Sequence, residues 1–143
     1  MFRERTATII FEGAMKFIDL IGNKFLSSIY QDEDFEMATL GFFSMNYADE
    51  VELHLHVFKK PRKSVEKWGV WGRDFNVVVI KILLQGIKKV EMIDVHHLSG
   101  LKLFDLDWVA GGTNMRFCCD SKSQSIGLLF NACTFQNCVT YII

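Results

Sequence analysis

The chain of 143 residues carries a formal net charge of −1; half of its residues are hydrophobic, with 13 Phe and a single Pro. This composition excludes a disordered polymer and a simple polybasic nucleic-acid binder. Its length suits one domain, residues 1–143, which buries roughly two-thirds of the surface exposed by the unfolded chain, so neither a metal nor a disulfide is needed to hold it together.

The opening MFRERTATIIFEG joins mixed charges to an apolar run too short for a signal-peptide core, with no small-residue cleavage site. The expectation is a cytoplasmic protein with a short first strand at residues 6–11. AMKFIDLIGNKFLSSIY then spaces Ala14, Phe17, Ile18, Ile21, Phe25 and Ile29 as a helical stripe, with Lys16, Asp19 and Lys24 outside it. One amphipathic helix, weakened at Gly22, is predicted.

From Phe35 the apolar period changes to two. Residues 35–45 and 51–59 flank NYADE and predict a hairpin. In its second strand Val51, Leu53, Leu55 and Val57 take the core face; Glu52, His54, His56 and Phe58 take the other. KKPRKSVEKWGVWGRD, with the only Pro and a dense charge run, predicts a long loop. Residues 75–84 are apolar on both faces and predict a central strand. The apolar run at 77–84, broken by Lys81, is less than half a membrane span, so no membrane helix is expected.

Glycines punctuate the entries to strands at residues 89–95, 101–108 and 115–120, and the tail predicts strands at 125–132 and 138–143. The sum is an α+β, mainly β fold: an antiparallel sheet or sandwich of seven to eight strands with one N-terminal helix packed on it. Short connections favour a meander. Within residues 101–108, Lys102, Phe104, Leu106 and Trp108 share a face that puts Trp108 in the core, leaving Asp105 and Asp107 towards solvent.

His54 and His56 have the alternation that presents metal ligands from a strand. The other histidines, His96 and His97, are adjacent and offer no recognisable ligand spacing, so HLH is read as the polar side of a half-solvated strand, with no cofactor. There is no GxSxG elbow and no phosphate-binding glycine loop. Cys118 and Cys119 should point to opposite faces, one inward and one outward, and with Cys133 and Cys138 they are read as reduced structural thiols. None sits in a helix-opening or basic setting that would lower its pKa.

Charge is the stronger lead. Between Gln31 and Glu52 lie Asp32, Glu33, Asp34, Glu36, Asp49, Glu50 and Glu52, with no Lys or Arg. The hairpin is expected to bring both acidic groups to one sheet region, which would attract a basic partner. Lys59, Lys60, Arg62, Lys63 and Lys67 crowd the following loop, opposed only by Glu66. Trp68 and Trp71 are read there as lids on the core first, and as contact anchors second.

The segment LLQGIKKVEMIDVHHLSGLKLFDLDW, preceded by VELHLHVF and DEDFEMATL, resembles the small immunity proteins of bacterial polymorphic toxin and contact-dependent growth inhibition systems. The resemblance implies a cytoplasmic, non-enzymatic protein that binds a cognate toxin C-terminal domain, such as a nuclease, and blocks its active site or substrate path. It transfers no catalytic residue and implies no direct contact with nucleic acid or membrane. The expected contact residues are the seven acids with Trp68 and Trp71, and reversing Glu33, Asp34 and Glu36 to Lys should weaken binding without unfolding. Two alternatives stand beside it: a non-catalytic ligand-binding or structural β-domain, and a small metal-dependent β-barrel enzyme using His54 and His56.

Overall fold

The computed structural model describes residues 13–143, and the strand expected at residues 6–11 lies outside them. Among the described residues the fold is mainly β, with two short helices. In chain order come β1 (Gly13–Ala14), α1 (Phe17–Ile21), α2 (Lys24–Ile29), a 3-10 turn (Asp32–Phe35), β2 (Thr39–Asn46) and β3 (Glu50–Val57). A second 3-10 turn (Glu66–Trp68) precedes β4 (Val77–Gln85), β5 (Lys89–Ile93), β6 (Lys102–Val109), β7 (Gly112–Cys118), β8 (Ser125–Phe130) and β9 (Ala132–Tyr141).

All pairings between these strands are antiparallel, in the order β5-β8-β7-β6-β2-β3-β4-β9, with β1 alongside β6. Two four-stranded groups are joined through a narrow β2/β6 contact, Thr39 opposite Lys102, flanked by the bonds Leu40 N–H to Leu101 O and Leu103 N–H to Ala38 O, both 2.8 Å. One core cluster draws on both groups: Leu53 and Leu55 from β3, Ile80 and Ile82 from β4, Phe117 from β7 and Leu128 from β8. The alternation in β3 is as expected, with Val51, Leu53, Leu55 and Val57 buried and Glu52, His54 and His56 half-buried on the other side. Among the described residues, no helix is long and apolar enough to cross a membrane.

Four expectations are corrected. The single helix is two, because Gly22 ends α1 in the left-handed conformation (φ 62°) and Asn23 starts α2 by accepting the Leu26 N–H at 3.0 Å. The break re-phases the apolar stripe, so Leu26 is buried while Phe25 is 39% exposed. The first hairpin strand begins at Thr39 instead of Phe35, since the acidic residues form a 3-10 turn and Met37 takes a positive φ of 67°.

Residues 131–137 do not separate two tail strands. Apart from Asn131 they belong to β9, which crosses a bulge where Asn137 faces Lys81 and Phe135 faces Ile82, leaving Gln136 as the extra residue. Trp108 is 51% exposed and outside the core, and Phe104 is 54% exposed. A bulge between Leu103 and Asp105 makes Phe104 the extra residue of β6, so it does not share a regular face with Leu106. Leu106 itself is buried, whereas Trp108 lies at the end of the strand opposite Gly13 and Thr113.

Candidate functional site

The 3-10 turn Asp32–Phe35 is held by its own acids. Asp34 accepts the Gln31 N–H at 2.9 Å and receives two bonds from Arg62, from Nε at 2.8 Å and from Nη2 at 3.2 Å. Burial pushes the Asp34 carboxyl up, but the Arg62 bonds, the Gln31 N–H and the charges of Arg62 and Lys59 outweigh it and hold it below the usual range. Asp34 is only 9% exposed, so it cannot offer a free carboxylate to a partner, and reversing it to Lys would place a cation against Arg62. The expectation that its reversal leaves folding intact is corrected on that ground. Asp32 is half-buried and caps α1 by accepting the Ile18 N–H at 3.2 Å, while Glu33 and Glu36 are exposed.

The two acidic groups do not converge. Thr39 pairs with His56 and Asn46 with Glu50, so the 3-10 turn lies at one end of the hairpin and Asp49 and Glu50 at the other. The six residue steps of β3 between those pairs, at ~3.3 Å each, separate them by about 20 Å. Sequence charge alone could not foresee this, because the hairpin register decides which end each group occupies.

Folding instead joins Asp32 and Glu36 to Asp105 of β6. The three line an open cleft of about 240 Å³ with Met15, Phe17, Phe35, Leu103, Phe104 and Leu106. Phe17 and Phe35 pack at a centroid distance of 4.7 Å beneath it. Phe104 also carries the Lys122 ammonium 4.5 Å from its ring centroid, so this aromatic already accepts a cation. Asp105 is exposed, as its strand parity predicts, and nothing in the sequence ties it to residues 32–36.

On the outer face of β2–β3–β4–β9, the His54 ring stacks on Phe42 at 4.4 Å and its Nε2 lies 2.6 Å from a Glu52 carboxylate oxygen. His56 Nδ1 lies 3.0 Å from the Tyr141 hydroxyl, and its ring occupies the space where a side chain at Gly41 would begin. Burial, and then the neighbouring His54, push the His56 imidazole pKa down. Among the described residues, no group of three or more His, Cys, Asp or Glu side chains could hold a metal ion. His54 and His56 thus share a face, as β3 requires, but each is engaged by a protein partner.

In the basic loop, Trp68 packs edge-on against Phe25 and Phe75 (5.6 and 5.8 Å), and Trp71 against Phe75 (5.3 Å), so both cover a buried ring as lids. Cys118 is buried and Cys119 half-buried, in agreement with the strand parity. The expectation that no thiol is acidified is corrected at Cys119. Contacts to the Ser121 and Ser123 hydroxyls (3.3 and 3.6 Å) and the Gln124 N–H (3.3 Å) bring its pKa down to about 6. The C-C-D-S-K-S-Q spacing carries that signal, but in hydroxyls and a backbone N–H rather than in basic residues.

No family model, curated protein or solved structure matches this chain.

Proposed function

We propose that this chain is an immunity-type inhibitor that acts in the cytoplasm without catalysis, binding a basic toxin domain and obstructing its active site or substrate path. The observation that carries the reading is the cleft lined by Asp32, Glu36 and Asp105 together with Phe17, Phe35 and Phe104. A Lys or Arg side chain has an apolar stem and a cationic head, and this lining is complementary to both parts. A toxin acting on nucleic acid presents such cations to phosphates, so a domain that captures them competes for the same surface. Asp49, Glu50 and Glu52, at the far end of the hairpin, would add long-range attraction and speed encounter.

The test is co-expression with a basic toxin C-terminal domain, taken from any reading frame that neighbours the gene for this chain and encodes one. The wild-type chain should restore growth. A Glu36→Lys, Asp105→Lys variant, altered at two exposed positions, should fold normally and fail to protect. Protection by the variant equal to wild type removes the cleft from the reading, and absence of protection by the wild type removes the immunity reading itself.

A further inference from the structure

The basic loop is left unused by that reading, and its cations have separate fates. Arg62 is taken by Asp34. Lys60 and Lys63 form no ion pair among the described residues, and both line a pocket of about 140 Å³ with Pro61, Ser64, Val65, Trp71 and Phe75. This pocket lies apart from the acidic cleft, with which it shares no lining residue.

The wall of the pocket is fixed by the chain itself. The Asp74 carboxylate accepts the Val70 N–H at 2.6 Å, and the Asp74 N–H bonds back to Val70 O at 2.8 Å. Gly69 has a positive φ of 86°, and a side chain there would collide with Asp74. The Gly72 N–H closes the turn on Phe75 O at 2.8 Å, which holds Trp71 against the buried Phe75 ring. Trp71 remains half-exposed at the pocket.

We propose that this pocket binds a phosphate monoester carried on a flat ring. Two lysines and the exposed Ser64 among the lining residues suit a dianion, which a phosphate monoester approaches at about −1.5 to −2 charge near pH 7. Trp71, half-exposed over the buried Phe75 ring, supplies the apolar wall that favours a planar group. At about 140 Å³ the pocket is too small for a stacked series of bases. Two ligands share this chemistry, a nucleoside monophosphate and a phosphorylated tyrosine.

Isothermal titration of the full chain with adenosine monophosphate, O-phosphotyrosine, adenosine and inorganic phosphate tests the assignment. At least one ring phosphate should bind with a Kd below about 1 mM, weaken as salt is raised, and exceed both adenosine and inorganic phosphate in affinity. The tighter of the two ring phosphates identifies the source. Lys60→Gln with Lys63→Gln, both at exposed positions, should weaken that binding by about tenfold or more. Absence of binding by both ring phosphates, equal binding of inorganic phosphate, or unchanged affinity in the double variant would each overturn the proposal.

Discussion

Asp34 and Arg62, 28 residues apart in the sequence, are joined by two hydrogen bonds of 2.8 and 3.2 Å, so the acidic turn before β2 and the basic loop after β3 neutralise one another at this pair. The same loop is tied down nearby, where the Arg62 N–H bonds to Ile29 O at 2.7 Å and the Tyr30 hydroxyl donates to Lys59 O at 2.8 Å. The pair is therefore a fastening between α2, the acidic turn and the loop. What remains for a partner is the charge it leaves free: Glu36 with Asp32 and Asp105 at the cleft, and Lys60 with Lys63 at the pocket.

Replacing Asp34 with Asn should cost about 1–3 kcal/mol in urea unfolding, because charge-assisted bonds to Arg62 and Gln31 are weakened at a buried site. The pH dependence has a definite sign. The Asp34 pKa is lower in the folded chain than in the unfolded one, so its contribution is complete above the ordinary carboxylate range and is lost as pH falls through the folded value. The Asn variant should therefore lose less of its remaining stability to acid than the wild type, and parallel acid unfolding curves for the two would contradict this account.

Gly41→Ala should destabilise the sheet by about 1–3 kcal/mol, since its Cβ would enter the space of the His56 ring and force it from Tyr141. Combining it with His56→Ala should recover part of the loss, a coupling that a double-mutant cycle measures directly. His56 itself should titrate below the ordinary imidazole value of 6.5 in an NMR series. Because its folded pKa is depressed, it withdraws stability as pH falls below 6.5, and the His56→Ala variant should not show that component. Strict additivity of the two substitutions would place the clash elsewhere.

Among the four thiols, Cys119 should be alkylated first at pH 7. Its pKa near 6 leaves it mostly as thiolate, whereas burial pushes Cys133 up to about 12. Ser121→Ala with Ser123→Ala removes the leading hydroxyl contacts and should slow Cys119 labelling several-fold, as followed by peptide mass mapping. Equal labelling of Cys119 in both forms would show that the hydroxyls do not hold the thiolate.

Periodicity along the chain is enough to give the class of the fold and the inner face of its best strand. Period-two alternation in β3 assigns Val51, Leu53, Leu55 and Val57 to the core, because successive side chains of any strand point to opposite faces. The apolar run of β4 likewise marks a central strand, which pairs on both sides with β3 and β9. The parity of Cys118 and Cys119 was legible for the same reason. Local periodicity reports burial on one element, and it reports little else.

Which groups meet was set by the long-range contacts. The bulges at Phe104 and Gln136 each insert one residue and interrupt the parity on which face assignments depend, and neither carries a distinctive residue type. The hairpin register sent the two acidic groups to opposite ends, although they are near neighbours in the sequence. Asp105 joined Asp32 and Glu36 through the β2/β6 contact, which links residues more than sixty positions apart, and Arg62 rather than any partner took up Asp34. Charge acts through space, so which carboxylates remain free to bind is a property of the folded contacts, whereas the pattern that buries the core is written along the chain.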